Sequence, residues 1–404
     1  MAWILLLAGL VALAASFFPV LLARRFVRDI HAALRENPDC GYRPKVSLII
    51  PCKGLDPDFE ANIAAFLAQD HPNLDFYFIT ATTDDPAYVA LSEIMRRTPE
   101  VPVKLLVAGV IPGRSQKINN QLKAIDEIGK SSDVFVFMDS DARPSPAFVR
   151  HLVQPLREGQ TGLSTGFRWY MPVHGGFWSM LRSAWNGGGV VFLPDPQANY
   201  AWGGAMAIRR ETFTLCDVAE RWKNALSDDM TITLAVREKG MGITFVPHCL
   251  VTTHEDCTFS QMLEWTNRQT TIARVYHPAL WWKIALAHCV GNAVLFLGLG
   301  LLAGQVASGF DSMLILAASL LMLSIVPMEM LNAQILLPAI VAMLPEHREK
   351  LEGQFWMFRL LAPLASLLAL FNTAYSLFTR RITWRGVTYE MRSPTQTIVV
   401  SEQP

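Results

Sequence analysis

The sequence lacks the excess of basic residues that a nucleic-acid partner would require. Its 404 residues contain 35 Lys and Arg side chains and 35 Asp and Glu side chains, so the formal net charge is zero. Proteins that bind nucleic acid usually carry an unbalanced basic surface, because they neutralise phosphates. The composition therefore argues against this class of partner. It is instead rich in apolar residues, which make up 51% of the chain.

Cysteines with the spacing of a metal site or a disulfide framework are also absent. The sequence has no C-x-x-C pair, and C-x-x-C is the usual mark of a zinc site. Reduced and mostly buried thiols are therefore expected, as in a domain that faces the cytoplasm. The six cysteines are Cys40, Cys52, Cys216, Cys249, Cys257 and Cys289.

Neither common glycine-rich phosphate loop is present. No G-x-G-x-x-G follows the first predicted strand and no G-x-x-x-x-G-K-[ST] occurs, so dinucleotide-binding and P-loop proteins lose their main support. The stretch "PCKGLDP" begins at Pro51 in that place. Gly54 and Pro57 favour a turn there, and Lys53 can meet an anionic or polar ligand group. A lone lysine in a loop is usually only solvated, so this stretch alone is weak evidence.

An apolar segment at residues 3–22 is about 20 residues long, enough to cross a bilayer. Its positive charges, Arg24, Arg25 and Arg28, follow the segment, whereas a signal peptide carries them in front. The positive-inside rule then predicts an uncleaved anchor over residues 1–22, with the next domain in the cytoplasm. The pattern of residues 23–44 predicts an amphipathic helix at the headgroup level.

Residues 284–344 and 355–378 are long apolar tracts almost free of charge, and they predict a C-terminal transmembrane region over 284–378. Residues 284–306 and 355–378 each fit one span, whereas 312–344 is too long for one helix and short for two. We expect a span ending near residue 331, followed by a broken or re-entrant piece. Glu329 is either a functional candidate there or an interfacial residue near a helix end. An even number of crossings is favoured because Arg380, Arg381 and Arg385 predict a cytosolic tail over 379–404.

Residues 45–260 have the pattern of a soluble α/β domain, followed by interfacial helices over 261–283. Strand-like segments alternate with helical segments that open on Asp or Ser in the manner of N-caps. Such alternation predicts a mostly parallel sheet with right-handed crossovers, typical of nucleotide-binding domains. The predicted strands are 45–50, 74–80, 103–108 and 133–138, and the predicted helices are 58–70, 85–97 and 115–128.

Two carboxylates follow the apolar strand that ends at Met138, in the stretch Asp139-Ser140-Asp141. Ligands of open α/β sheets bind at the carboxyl ends of the strands, and a turn at Ser140 can direct both acids toward one cation. Mg²⁺ or Mn²⁺ usually binds through one or two carboxylates plus the phosphates of a substrate. An ordinary helix-capping turn has the same D-x-D pattern, and taken alone the motif favours that interpretation.

A second acidic pair, Asp228 and Asp229, begins an amphipathic helix. Acids in a first turn are ordinary partners of the helix dipole. In a domain that already has a metal-type pair, however, a second acid provides what transfer to an alcohol requires, a carboxylate that takes the proton of the acceptor. We therefore predict Asp229 as the general base, with Asp228 beside it.

These motifs together resemble the ceramide glucosyltransferase-like branch of glycosyltransferase family two. The members of that branch are inverting enzymes with a GT-A fold and a membrane-embedded C-terminal region. The matching pieces stand in the family's order and cover most of residues 45–392. They are "PCKGLDP", "DDPAYVAL", "QKINNQL", "FMDSDARPSP", "WGGAMAIRRE", "LSDDMTITLAV" and "ITWRGVTYE".

The resemblance implies roles for individual residues. Asp139 and Asp141 would lie at the metal and the sugar diphosphate, and Asp229 is similar to the family's catalytic base. The residues implied near the nucleotide are Lys53, Lys117 and Asn120, and the residues implied near the donor sugar and acceptor are Gly203 and Gly204.

Two positions depart from the family pattern. Thr82 stands where the family has an acid that contacts the nucleobase, which leaves Asp84 or Asp85 as the alternative contact. In "QMLEW", Gln261 and Trp265 match the family's Q-x-x-R-W, but Glu264 replaces the arginine. Either of two downstream arginines, Arg268 and Arg274, could supply the missing positive charge to the diphosphate.

The function expected on this basis is transfer of a sugar, with inversion, from a UDP-sugar to a membrane lipid such as ceramide. The resemblance implies Mn²⁺ or Mg²⁺ as cofactor, and the N-terminal anchor and C-terminal spans predict a catalytic domain held against the cytoplasmic leaflet. Three alternatives remain open at this point: a processive polysaccharide synthase, a polyprenyl-phosphate glycosyltransferase, and a non-catalytic membrane protein that binds nucleotide sugars.

Overall fold

The computed structural model of the chain describes residues 2–36, 39–309 and 311–402. The chain divides into two compact units. We call them the sheet unit, formed by Ala33–Val173, Phe192–Glu255 and Arg380–Pro404, and the helical unit, formed by Met1–Ala32, His174–Val191 and Asp256–Thr379.

The strands of the described residues belong to the sheet unit, and three of the four longest helices lie wholly in the helical unit. The strands are β1 (Val46–Pro51), β2 (Leu74–Thr80), β3 (Val103–Val107), β4 (Val134–Met138), β5 (Thr161–Tyr170), β6 (Ala205–Arg209), β7 (Gly242–Thr253), β8 (Arg381–Trp384), β9 (Val387–Ser393) and β10 (Gln396–Glu402). The helices are α1 (Ala2–Arg35), α2 (Phe59–Leu67), α3 (Pro86–Arg97), α4 (Gln116–Ile128), α5 (Phe148–Val153), α6 (Phe177–Gly187), α7 (Arg210–Leu215), α8 (Val218–Trp222), α9 (Asp228–Glu238), α10 (Phe259–Tyr276), α11 (Pro278–Ser308), α12 (Ser312–Met343) and α13 (Arg348–Phe378). Short 3-10 helices occupy Gln154–Arg157, Val190–Phe192 and Pro345–His347.

The main sheet has seven strands in the order β3-β2-β1-β4-β6-β5-β7. β1 pairs in parallel with β2 and β4, β2 pairs in parallel with β3, and β5 pairs in parallel with β7. Only β6 opposes its neighbours β4 and β5. This confirms the predicted mostly parallel α/β sheet. Because β1 and β4 are parallel neighbours, the loop after Pro51 and the turn at Asp139 leave the same edge of the sheet.

β4 is a continuous apolar run because both of its faces are covered. Val134, Val136 and Met138 pack into the core on one face of the sheet, and Phe135 and Phe137 pack into the core on the other face. All five side chains are buried. Since burying one large apolar side chain contributes about 1.5–3 kcal/mol, this strand firmly anchors the acids that follow it.

Two of the three helix starts predicted from Asp or Ser have the expected cap, and α9, whose start was predicted from its acidic pair, is capped as well. Asp85 accepts from the backbone N–H of Ala87 at the start of α3, Ser115 caps α4, and Ser227 caps α9. Asp58 is the exception, because it has a φ of 55° and makes no side-chain cap hydrogen bond.

The helical unit differs from the sequence expectation at two places. The predicted anchor and amphipathic segment form one continuous helix, α1, that ends at Arg35; residues 37 and 38 of the predicted segment lie outside the described residues. The expected interruption after residue 331 is wrong, since α12 continues to Met343 through Pro327 and Pro338.

Four helices in the described part of the chain are long and apolar enough to cross a membrane. They are Ala2–Arg35, Pro278–Ala307, Ser312–Met343 and Pro345–Phe378. Their length and composition indicate a membrane protein.

The C-terminal tail folds as a three-stranded antiparallel sheet in the order β10-β9-β8, which the sequence reading did not anticipate. Arg385 and Gly386 form the two-residue turn between β8 and β9, with φ angles of 48° and 80°. Two successive positive φ angles match the twist of a tight hairpin, and glycine adopts one of them without strain.

Candidate active site

Lys117, on α4, joins the two acidic pairs. Its Nζ lies 2.7 Å from Asp139 Oδ1 and 3.0 Å from Asp228 Oδ2. The same ammonium group donates to the carbonyl of Gly203 at 3.0 Å. Only 12% of the Lys117 side chain is exposed. The predicted metal-type pair and the predicted base pair therefore meet at one site, although they are far apart in the sequence.

Arg168, on β5, joins the two acids of the D-x-D turn. Its Nη2 lies 3.0 Å from Asp139 Oδ2 and 2.7 Å from Asp141 Oδ1, and its Nη1 donates to Asp141 Oδ2 at 3.0 Å. The guanidinium lies near the rings of Tyr170 and Trp202, with its carbon 5.3 and 5.1 Å from their centroids. Since both carboxylates reach one nitrogen atom, the turn at Ser140 directs them to a common point, whereas binding of a metal there stays a prediction.

The two acids of this turn differ electrostatically. Burial raises the pKa of Asp139, but the charges of Lys117 and Arg168 outweigh burial and hold the pKa below its usual value. Burial is the dominant cause at Asp141 and raises its pKa despite the opposing charge of Arg168. Asp139 is therefore the acid more strongly held as a carboxylate, because it has two cationic partners.

Asp228 is the buried member of the second pair. Burial raises the pKa of Asp228 to about 6; Lys117 opposes this shift and the Asp229 carboxylate adds to it. Gln121 Nε2 donates to Asp228 Oδ2 at 2.8 Å. Because Asp228 Oδ2 is bonded by both Lys117 and Gln121, Asp228 is suited to fix the position of Lys117.

Asp229 is less buried than Asp228 and lies at the same helix start. Its Oδ2 accepts from the backbone N–H of Gly203 at 3.1 Å, and its Oδ1 accepts from the N–H of Met230 at 2.7 Å. The hydroxyl of Ser227 also donates to Asp229. These bonds orient the carboxylate while leaving it partly accessible, which suits a group that takes a proton from a ligand.

Positions 203 and 204 have room only for glycine, because neighbouring side chains lie close to the backbone at both. A Cβ at Gly203 would lie 2.9 Å from Lys117 Nζ and 3.0 Å from both carboxylate oxygens of Asp228. A Cβ at Gly204 would lie 2.1 Å from the ring of Trp202. The backbone passes this close to the ion pair only because no side chain intervenes.

The loop after β1 is held by an acid that was predicted to meet the nucleobase. Gly54 has a φ of 65°, and its N–H donates to Asp85 Oδ1 at 2.8 Å. The same oxygen of Asp85 caps α3 by accepting from Ala87 N at 2.9 Å. Pro51, the first residue of the "PCKGLDP" stretch considered for ligand contact, is the last residue of β1 and pairs with Ile79. Asp85 therefore shapes the loop.

Asp84 and Asn120, two other residues predicted to contact the nucleotide, differ in their exposure to solvent. Asp84 is exposed, as is Thr82. Asn120 is buried, and its Nδ2 donates to the carbonyl of Ile79 at 3.0 Å while its Oδ1 accepts from Gln116 Nε2 at 2.7 Å. Asn120 thus joins α4 to the end of β2, whereas Asp84 is the more accessible candidate for a base contact.

The Q-x-x-E-W residues belong to the helical unit. Gln261 forms a capping box with Thr258 at the start of α10, and Trp265 packs edge to face against Trp185 with ring centroids 5.4 Å apart. Glu264 is exposed, and Arg268 follows one turn later on the same helix. Contacts of Gln261, Trp265 and Arg268 with a donor stay predictions.

The side chains of the D-x-D turn can be tested for their fit as ligands of a divalent cation. Carboxylate oxygens are the ligands that Mg²⁺ and Mn²⁺ prefer, and Asp139 and Asp141 converge. No group of three or more His, Cys, Asp or Glu side chains suited to a metal occurs among the described residues. The two carboxylates therefore fit a cation that takes its other ligands from substrate or water, and such a cation would compete with Arg168 and Lys117.

Sequence reasoning missed Arg168 and Arg385. Arg168 stands between aromatic residues in a strand whose last nine residues are buried, and a buried charge must have a partner. Arg385 stands before Gly386 between two alternating segments, which is a hairpin signal. Arg385 forms an ion pair with Asp56 of the β1 loop, with Nη2 and Oδ1 2.5 Å apart.

The sequence of this chain is similar to those of known glycosyltransferases. The sequence model of glycosyl transferase family 21 matches residues 4–397. Ceramide glucosyltransferase 3 of Caenorhabditis elegans is 29% identical over 116 residues, which cover 28% of this chain and 25% of that protein. The alignment thus spans about a quarter of the relative's length.

Two solved structures are similar at a lower level. A mannosyltransferase from Pyrobaculum calidifontis, in complex with GDP-Man and Mn²⁺, is 17% identical with a TM-score of 0.46, over 91% of this chain and 99% of that chain. Glucosyl-3-phosphoglycerate synthase from Mycobacterium tuberculosis is 18% identical with a TM-score of 0.34, over 59% and 79%. Likenesses at this level imply nothing about the substrate or cofactor of this chain.

Proposed function

This chain belongs to glycosyl transferase family 21, and on that basis we propose that it moves a sugar from a nucleotide sugar to the hydroxyl group of a membrane lipid. The expected family number, two, is wrong, whereas the expected kinship with ceramide glucosyltransferases agrees with the partial match to the nematode enzyme. The observation that carries the proposal is the shared ion pairing of Asp139 and Asp228 with Lys117.

The donor would lie at the carboxyl edge of β1 and β4. The loop at Lys53 and the turn at Asp139 leave the sheet there, and a doubly wound sheet binds its ligand at this edge. Asp139 and Asp141 would hold Mn²⁺ or Mg²⁺, which when bound offsets the charge of a departing nucleoside diphosphate. A UDP-sugar is the donor that the family resemblance favours, with Asp84 near the base.

Asp229 would act as the general base. As the acceptor oxygen attacks the anomeric carbon, the bond from that carbon to the diphosphate oxygen breaks, and the acceptor's proton passes to Asp229. The nucleoside diphosphate leaves with the electron pair of the broken bond. Attack from the side opposite the leaving group inverts the anomeric configuration. Asp228 would keep Lys117 in place and would not contact the acceptor.

The acceptor is proposed to be a lipid alcohol of the ceramide type. Four apolar helices of spanning length support a membrane location, and a lipid can reach a membrane-bound enzyme from within the bilayer. The arginines after the first apolar segment, Arg24, Arg25 and Arg28, support a cytoplasmic sheet unit. The roles of residues 45–260 as catalytic domain and 261–283 as interfacial helices belong to this proposal.

The three alternatives predict different products. A polysaccharide synthase would elongate a soluble chain, and a polyprenyl-phosphate glycosyltransferase would act only on a phosphorylated acceptor. A non-catalytic binding protein would not release nucleoside diphosphate. The paired carboxylates held by Lys117 favour an enzyme over the last alternative, because a binding protein does not need a base.

The proposal is tested with purified full-length protein in lipid nanodiscs. UDP-glucose, UDP-galactose and GDP-mannose are offered separately with ceramide, diacylglycerol and polyprenyl phosphate, with Mn²⁺, with Mg²⁺ or with EDTA. Released diphosphate and lipid product are scored, and the anomeric configuration is read by NMR. We expect an inverted glycolipid with a neutral lipid. No product with any lipid, under any of the three conditions, would overturn the proposal.

A further inference from the structure

Arg385 brings a positive charge from the C-terminal tail to the D-x-D turn. Its Nη2 lies 2.5 Å from Asp56 Oδ1, and its Nη1 donates to the carbonyl of Lys53. Asp56 Oδ2 accepts from the hydroxyl of Ser140 at 2.5 Å. Ser140 lies between the two acids of the turn, so one carboxylate connects the tail arginine with the predicted donor site.

The exposure of this pair leaves room for a ligand. The side chain of Asp56 is 8% exposed, whereas the side chain of Arg385 is 37% exposed. The carboxylate of Asp56 is therefore buried, whereas part of the Arg385 side chain is accessible to solvent. A guanidinium has five N–H donors in a planar fork that matches a phosphate group. The bonds to Asp56 and Lys53 leave further donors for a ligand.

The electrostatic surroundings tie Arg385 to the same cluster. Burial opposes its charge, but the carboxylates of Asp56, Asp141 and Asp139 favour it, and the pKa of the guanidinium is raised overall. Carboxylates outnumber cations in the cluster, which also contains Asp228 and Asp229 on the acidic side and Lys117 and Arg168 on the basic side. An anionic donor entering such a site needs positive charge that can face it.

The tail hairpin presents Arg385 in a fixed position. The residue stands at the tip of the tight turn between β8 and β9. The buried Tyr389 on β9 accepts through its hydroxyl from the backbone N–H of Gln116 at 3.3 Å, which joins the hairpin to the start of α4. A hairpin held in this way presents the guanidinium with little further loss of conformational freedom on binding.

We propose that Arg385 binds the diphosphate of the nucleotide-sugar donor and so supplies the positive charge that Glu264 does not. This inference rests on the proposed function. It replaces the expectation that Arg274 supplies the charge, because Arg274 donates to the carbonyl of Ser376 and packs against Trp281 within the helical unit. The C-terminal tail is thereby part of the donor site.

The test compares nucleotide affinities of full-length protein in nanodiscs. UDP and GDP are titrated by calorimetry in the presence of Mn²⁺, and the diphosphate that wild type binds more tightly is then compared with its monophosphate. The variants are Arg385→Ala and Arg385→Lys, with Arg381→Ala as the matched control. Arg381 is an arginine of the same hairpin whose ion pair, with Glu390 at 2.8 Å, lies within the hairpin itself.

We expect Arg385→Ala to weaken diphosphate binding about tenfold or more, as for loss of a charge-assisted bond. The diphosphate-to-monophosphate affinity ratio should fall in this variant, Arg385→Lys should be intermediate, and Arg381→Ala should match wild type. An unchanged ratio for both Arg385 variants would show that the residue only anchors the tail and would overturn the inference. If wild type binds neither diphosphate, the proposed function itself fails.

Discussion

Asp139 and Asp228 share one ammonium group, that of Lys117, at 2.7 and 3.0 Å. A buried cation costs much free energy unless it is paired, and here it is paired twice. The consequence is that the D-x-D turn after β4 and the acidic start of α9 are held in one site. Any loss of this contact would separate the group that meets the donor from the group proposed to take the acceptor's proton.

The close approach at Gly203 predicts a sharp effect of one methyl group. In Gly203→Ala the new Cβ would meet Lys117 Nζ at 2.9 Å and the Asp228 carboxylate at 3.0 Å, so the ion pair must shift. We expect donor affinity and turnover each to fall at least about tenfold, since small displacements of reacting groups are costly. Gly159→Ala is the matched control, because its Cβ would have no neighbour within 4 Å. Equal activities of the two variants would contradict the assignment.

Removal of Arg168 should affect stability and metal binding in opposite directions. In Arg168→Gln, Asp139 and Asp141 lose their shared guanidinium, and we expect the free energy of unfolding to fall by about 3–5 kcal/mol. The same loss removes a competing cation, so Mn²⁺ affinity measured by EPR titration should rise. Arg221→Gln, which breaks a surface pair with Glu238, is the control. Unchanged Mn²⁺ affinity in Arg168→Gln would show that the cation does not use these carboxylates.

The buried side chain of His151 leads us to expect that the protein becomes less stable in acid. Burial and, to a smaller extent, the charge of the neighbouring His248 lower the pKa of His151 from 6.5 to about 4; the two ring centroids lie 5.0 Å apart. Between pH 6.5 and about 4 the unfolded chain therefore binds more protons at this residue than the folded chain, so the free energy of unfolding falls as pH falls.

His151→Leu should remove this contribution. Melting temperatures measured from pH 7 to pH 4 should fall less steeply in the variant than in wild type. Identical slopes would mean that other groups carry the acid sensitivity.

The membrane crossings of α11, α12 and α13 can be predicted from the position of the tail. The strands β8–β10 belong to the sheet unit, so an even number of these helices must cross. α13 carries five charged residues in its first half, which are costly in hydrocarbon. We expect α11 and α12 to cross and α13 to lie along the cytoplasmic surface. The charged residues are Arg348, Glu349, Lys350, Glu352 and Arg359.

Labelling with a membrane-impermeant maleimide tests this arrangement in intact cells. Ala307→Cys, near the end of α11, should label from outside, and Glu346→Cys, between α12 and α13, should label only after lysis. Wild type reports the background of the native cysteines. External labelling at both positions would contradict the predicted crossings.

Sequence periodicity predicted the first half of the sheet closely. The expected strand 74–80 is β2 to the residue, and the expected helices at 85–97 and 115–128 lie within one residue of α3 and α4 at their starts. These segments carry local signals, namely apolar runs and capping residues. The second half depends on pairing between distant segments. Local periodicity indicates neither the antiparallel direction of β6 nor the pairing of β5 with β7.

Part of the candidate site could also be predicted from local sequence signals, whereas residues placed by distant segments could not. The acids at 139, 141, 228 and 229 stand at the ends or starts of predictable elements, so their convergence followed from the architecture. Arg168 and Arg385 come from a buried strand and a tail hairpin that periodicity did not place. Asp85 and Asn120 were expected at the nucleotide, but their side chains bond the backbone of Gly54 and Ile79. Local sequence patterns do not encode these backbone bonds, and the nucleotide contacts of Asp85 and Asn120 stay predictions.

The most direct measurement is glycolipid formation by Asp229→Asn, made in parallel with donor binding. The substitution keeps the shape of the side chain but removes its ability to take a proton. With Glu220→Gln on the exposed face of α8 as control, the account predicts that turnover falls about 10²–10⁴-fold. Donor affinity should stay within a few-fold of wild type. Turnover equal to that of wild type, with donor affinity intact, would contradict the assignment of Asp229 as the general base.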